Sequence, residues 1–140
     1  MPSDPDDRSH EDGSLRSANQ EPKASYQTKR GAMYCGDSMA LLSGVLGNKL
    51  RGKVQLIFTS PPFSLNHKKR YGNLRGEAYL EWLAEFAQVF RQLLKPDGSI
   101  VIELGNAWEP GKPVMSPLAL RALLAFLDKG SFNLCQQFVC

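Results

Sequence analysis

Residues 59–72, TSPPFSLNHKKRYG, hold the densest run of chemically useful side chains in the sequence. Ser60, Pro61, Pro62 and Phe63 come first, and His67, Lys68, Lys69 and Arg70 follow a few positions later. Consecutive prolines fix φ twice and supply no N–H donors, while their carbonyl oxygens remain acceptors. A Ser-Pro-Pro turn is therefore a stiff arm presenting oxygen: the Ser60 hydroxyl and the carbonyl of Ser60 or Pro61. Phe63 adds a flat apolar ring. Acceptors beside an aromatic plate suit a planar heterocycle with an amino group, its N–H bonds directed to oxygen and its ring stacked on the phenyl. A stiff turn followed by a core phenylalanine would use the same residues with no ligand at all. The basic run also has two readings. It is either a solvated charged face or a set of cations that contact phosphates, fixing position rather than sequence.

Such a loop is useful only if regular elements hold it. VQLIFT (54–59), immediately before it, is a nearly continuous apolar run, the pattern of a strand buried on both faces. Upstream, AMYC reads as a short strand ended by Gly36. Asp37 or Ser38 then caps a helix, SMALLSGVLGNKL, with Met39, Leu42, Val45 and Leu46 on one face. Downstream, Tyr79, Trp82, Leu83, Phe86, Val89, Phe90 and Leu93 recur at steps of three and four and predict a helix from Glu77 to Leu94. KPDG (95–98) stops it. SIVIEL (99–104) reads as a second buried strand, GNAWEPGKP as a loop and SPLALRALLAFLDKG as a helix ended by glycine. FNLCQQFVC (132–140) is a third strand candidate.

Strands alternating with helices over these lengths predict crossover units and a mainly parallel α/β sheet. Ligands of such sheets sit at the carboxyl ends of the strands. The SPPF and GNAW loops each follow a strand, so both are expected at one edge. Asn106 and Trp108 would then line a shared pocket, although Trp108 equally suits a lid over the core. Glu103, at the strand end, receives no role.

A chain of 140 residues holds at most one ordinary domain, and its 42% apolar content is enough for a core. Residues 1–30 carry almost no large apolar side chains and read as a disordered polar tail, which leaves 31–140 as the folded part. Through Gly31 there are six acidic and five basic residues; beyond it, twelve basic face eight acidic. That mildly basic balance suits an anionic partner. The three cysteines, Cys35, Cys135 and Cys140, have no metal-ligand spacing, and no metal is expected. Cys35 reads as a small buried hydrophobe. An odd cysteine count without an export signal, and no apolar run of about 18 residues, predict a cytoplasmic protein with no membrane span.

TSPPF after a VQLIF strand closely resembles the (S/N/D)PP(Y/F) motif of the DNA amino-methyltransferases, which methylate cytosine N4 or adenine N6. YCGDSMALL looks like the GD-plus-helix segment upstream of that motif in the group with permuted motif order. LKPDGSIVIELGNAW is similar to the strand and loop after the long helix, and SFNLCQQFVC looks like the start of the strand before the recognition region. The resemblance covers residues 32 to 140 in the right order. It implies part of a Rossmann-like methyltransferase sheet, DNA as partner and S-adenosylmethionine as cofactor. By resemblance, Ser60 and the Pro61 carbonyl accept the two amino hydrogens of a flipped base, and Phe63 stacks on it. Two acceptors out of the ring plane free the nitrogen lone pair for attack on the methyl sulfonium, so catalysis rests on positioning and electrostatics. Asp37 would accept from the cofactor's adenine amine, or act only as a helix cap. Serine in the motif is commoner among cytosine-N4 enzymes, so the resemblance implies cytosine N4 as the expected target, with adenine N6 as the alternative.

The family's aromatic-x-Gly-x-Gly cofactor loop has no counterpart in this sequence. Gly44 and Gly47 fall within or at the end of a helix, and Gly72 and Gly76 follow no strand. In the permuted group that motif comes late, so residues 31–140 read as a partial catalytic domain without the cofactor-motif strand, from a longer enzyme or a truncated product. The alternatives are a DNA-binding remnant without cofactor, or the same chemistry on an RNA or protein amide amine. The recognition site and oligomeric state are not legible.

Overall fold

The computed structural model describes residues 21–62, 74, 76–109 and 111–139. Its architecture is set by one amphipathic helix, α3 (Gly76–Leu93), whose buried face carries Tyr79, Leu80, Leu83, Ala84, Phe86, Ala87, Phe90 and Leu93. Those positions lie on one stripe because 3.6 residues complete a turn. Against it packs α4 (Leu118–Gly130), through Ala122 and Phe126. Ring contacts tie the pair together: Phe90 meets Phe126 edge-on at 6.0 Å, and Phe126 stacks on Phe132 at 5.6 Å. The turn that returns Phe132 follows the helix end. Ser131 adopts the left-handed conformation (φ 50°, ψ 48°), and the Phe132 N–H donates to the Leu127 carbonyl at 2.9 Å. Gly130, expected as the stop, has another task. A Cβ there would lie 2.2 Å from the Phe132 ring, so its missing side chain is what lets that ring fold back.

The helix begins one residue before its expected start and ends one residue early, at Leu93. Two parallel strands flank it in sequence, β3 (Val54–Thr59) and β4 (Leu94–Ile102). The Lys53 N–H donates to the Leu93 carbonyl at 3.0 Å, joining the start of one strand to the end of the helix. KPDG lies within β4 rather than simply before it. The register runs from Val54↔Leu94 to Leu56↔Ser99, so residues 95–98 are displaced from the ladder. The Gln55 amide holds them by donating to the Asp97 carbonyl at 3.1 Å.

Three expectations change. The single helix after Asp37 is two short ones, α1 (Ser38–Ser43) and α2 (Val45–Leu50), parted at Gly44, whose φ/ψ of −92°/−152° leave the helical region. Gly47 is needed at that break, since a Cβ would sit 1.6 Å from the Leu42 carbonyl oxygen. AMYC contributes only β2 (Ala32–Met33), which pairs antiparallel with β1 (Tyr26–Gln27) in a hairpin apart from the β3–β4 sheet. Residues 26–27 thus form a strand inside the stretch read as tail, while 1–20 lie outside the described residues. Cys35, beside this hairpin, is exposed and not a core residue, because nothing packs over it. Residues 132–139 form no strand, having no ladder to join among the described residues.

The strands are not buried on both faces. Ile57, Ile100 and Ile102 pack against the helical core together with Met39 and Leu42 of α1, while Leu56, Phe58 and Val101 point away and are exposed. No helix among the described residues is long and apolar enough to cross a membrane.

Candidate functional site

The carboxyl edge of the sheet brings the two loops together. The last register pair is Thr59↔Ile102, and the Glu103 N–H donates to the Thr59 carbonyl at 3.0 Å. The ladder stops there for a chemical reason: Pro61 and Pro62 have no N–H to continue it. Ser60 and Pro62 are exposed and Pro61 is half-buried, so the acceptor arm opens to solvent rather than into the core. Phe63, the ring expected to stack, and the basic run His67, Lys68, Lys69 and Arg70 lie outside the described residues.

Beside this arm the second loop leaves β4 and folds into a hairpin over residues 107–116. The Ser116 N–H donates to the Ala107 carbonyl at 2.7 Å and the Glu109 N–H to that of Val114 at 2.9 Å, with Gly111 turning the chain at φ 68°. Trp108, bridged antiparallel to Met115, is 64% exposed and is not a lid over the core. Asn106 is exposed in the same loop, as is Glu103 at its root. Between this loop and the helices lies a small cleft lined by Tyr79, Gly105, Ala107, Ser116, Leu118 and Ala119. Burial raises the Tyr79 phenol above its ordinary 10.0, so it stays protonated at neutral pH. Sequence reasoning misses both Tyr79 and Ser116 as cleft residues. Tyr79 counts there only as one member of an apolar stripe, and nothing local marks it as lining a cleft with a loop 26 residues onward.

Asp37 is the N-cap of α1. Its extended backbone (φ −66°, ψ 119°) lets Oδ1 accept from the Ala40 N–H at 2.7 Å. Ser38, the other cap candidate, is the first helical residue. The Asp37 side chain is exposed, so a carboxylate oxygen remains open to a donor from solution. Among the described residues no three His, Cys, Asp or Glu side chains gather in a way that would hold a metal ion.

A parallel sheet whose carboxyl edge carries an exposed Ser-Pro-Pro arm can be compared with known proteins. Residues 54–139 match the model of a DNA methylase family. The chain belongs to that family. The matched span contains both edge loops, the long helix and α4. Two type II methyltransferases are similar to it. M.PvuII of Proteus hauseri is 40% identical over 116 residues, which is 83% of this chain and 33% of that protein. M.BglII of Bacillus subtilis is 32% identical over 102 residues, 71% of this chain and 26% of the relative. The solved PvuII DNA methyltransferase, described as cytosine-N4-specific, superposes with a TM-score of 0.64 at 41% identity, covering 80% of this chain and 39% of that one. The chain thus shares part of the Rossmann-like α/β fold of that enzyme, and it spans about a third or less of the length of the curated relatives it matches.

Proposed function

We propose that this chain carries the target-amine loop of an S-adenosylmethionine-dependent DNA methyltransferase that modifies the exocyclic N4 amine of cytosine. The observation that supports it most is the solvent-open Ser60-Pro61-Pro62 arm, placed directly after the last ladder pair at the carboxyl edge. An acceptor arm buried in the core would have left no room for a base. The likeness to an enzyme described as cytosine-N4-specific supports cytosine rather than adenine as the target.

In this reading the target base leaves the helix stack, at a cost of a few kcal/mol. The Ser60 hydroxyl and the Pro61 carbonyl accept the amine hydrogens, turning the nitrogen lone pair out of conjugation, and Phe63 stacks beneath the ring. Asn106 and Trp108 stand on the neighbouring loop as further base or backbone contacts, and His67, Lys68, Lys69 and Arg70 contact phosphates. Asp37 suits the cofactor's adenine amine through its exposed carboxylate, with its cap bond retained. When bound, S-adenosylmethionine supplies an electrophilic methyl group. The residues of this chain bind and orient the amine.

The test is binding of a duplex with an unpaired cytosine, compared with one that is abasic at the same position. The wild-type chain should prefer the cytosine duplex, and Phe63→Ala should weaken that preference by about 1–3 kcal/mol. Equal affinity for the two duplexes overturns the reading. Mass spectrometry of DNA incubated with the chain and S-adenosylmethionine gives the base: N6-methyladenine in place of N4-methylcytosine would reassign it. Isothermal titration with the cofactor, showing no heat while DNA binding persists, would indicate a DNA-binding remnant.

A further inference from the structure

We propose that the Trp108–Met115 pair, on the hairpin that follows β4, is a wedge that enters the DNA base stack at the gap left by a flipped base. The pairing fixes which side chains act together. Trp108 and Met115 are antiparallel bridge partners. The backbone bonds that flank them, from the Ser116 N–H to Ala107 and from the Glu109 N–H to Val114, make them a non-hydrogen-bonded pair. Such pairs bring the backbones closest, to about 4.5 Å between Cα atoms, with both side chains on one face. Trp108 is 64% and Met115 50% exposed, so that face is an apolar plate. Glu109 falls by alternation on the opposite face with Val114, away from the plate. The Lys112 N–H closes the turn on the Glu109 carbonyl at 3.1 Å, and the Lys112 side chain is exposed beside it. The root of the hairpin is braced. Ala107 and Ser116 line the cleft with Tyr79 and Leu118, and the Ser116 hydroxyl accepts from the Leu118 N–H at 3.4 Å.

Single exposed apolar residues are ordinary on a protein surface, whereas a paired indole and thioether on a braced hairpin form a contact surface. Its place decides the occupant. The hairpin leaves β4 at the carboxyl edge, where the Ser60-Pro61-Pro62 arm opens to solvent, so arm and plate serve the ligand of one edge. A base that swings out leaves a gap of one stacking step, about 3.4 Å. Apolar and aromatic side chains fill such gaps because they replace the lost stacking. The exposed Lys112 adds a cation, for which a duplex supplies a phosphate at every step. The inference rests on the target-amine reading for the presence of DNA at this edge. It assigns the plate to the duplex rather than to the flipped base.

The test compares the 140-residue chain on a fully paired duplex and on one with a single central abasic site, by fluorescence anisotropy of the labelled DNA. The abasic duplex should bind about tenfold more tightly, since its gap is already open to the wedge. Trp108→Ala and Met115→Glu should each remove most of that gain, while Trp108→Phe, which keeps a ring, should retain it. Tryptophan emission of the wild-type chain should be quenched on the abasic duplex, and the quench should vanish in Trp108→Phe. Far-UV circular dichroism checks that these exposed-site variants stay folded. A full abasic gain in Trp108→Ala and Met115→Glu overturns the proposal, as does a quench that survives in Trp108→Phe. Absence of binding to either duplex also overturns it. A homodimer dispersed by Met115→Glu in light scattering would overturn it by assigning the plate to a second copy. The amine reading is tested separately, by unpaired cytosine against the abasic site, so equal affinity there leaves the abasic-against-paired result standing.

Discussion

Asp37 shows how two roles on one carboxylate are separated. As a cap, Asp37→Ala should cost about 1 kcal/mol in urea unfolding, while Asp37→Asn should be nearly neutral because the amide oxygen still accepts from Ala40. If the same carboxylate also meets the cofactor, the asparagine variant keeps stability and loses cofactor affinity, a split that calorimetry reads directly. Tyr79 offers a pH signature. Its phenol is raised above 10.0 by burial, so the folded state retains a proton that the unfolded state loses first. The stability from keeping this group neutral is full below pH 10 and is lost as pH rises through the folded value. Tyr79→Phe should therefore flatten the fall of Tm above pH 10 relative to wild type, as followed by thermal melts across that range.

At the scale of elements, periodicity locates α3 and α4 almost to the residue because their stripes of large side chains are long enough to average out local exceptions. It also places both loops at one sheet edge, which follows from parallel pairing once each loop is seen to follow a strand. Short elements are less legible. The break at Gly44 depends on how closely Gly47 approaches the Leu42 carbonyl, a proximity that no local pattern encodes. The third strand fails for a different reason: FNLCQQFVC has strand-like composition, but a strand exists only where a neighbour completes its ladder. Replacing Gly47 with Ala should cost about 1–3 kcal/mol through forced displacement at the α1–α2 junction, measured by the urea midpoint at unchanged m-value. Phe126→Ala, which removes the ring linking Phe90 to Phe132, should cost about 3–5 kcal/mol.

At the scale of the whole molecule, charge and coverage matter most. The chain beyond Gly31 has four more basic than acidic residues, and three of the basic ones, Lys68, Lys69 and Arg70, follow the Ser-Pro-Pro arm closely. Replacing these three with Gln should lower the slope of log affinity against log salt by up to about 3, at roughly 0.9 for each phosphate no longer neutralised. An unchanged slope would make the run a solvated surface. The apolar face of the sheet is legible only in part. VQLIFT announces a strand written for cover on both sides, but the sequence alone does not reveal which side the helices of this chain occupy.

The paired prolines at 61 and 62 also act as a ruler. Successive backbone N–H groups of a strand point to opposite edges, so adjacent prolines delete a donor on each side at once. Thr59 bonds toward β4, so on the other edge Ser60 still offers its N–H and Pro62 is the first residue without one. A strand that extends this sheet beside β3 can zip as far as Ser60 and no further. Its chain must peel away at that height, which keeps the two prolines clear of whatever the sheet recruits.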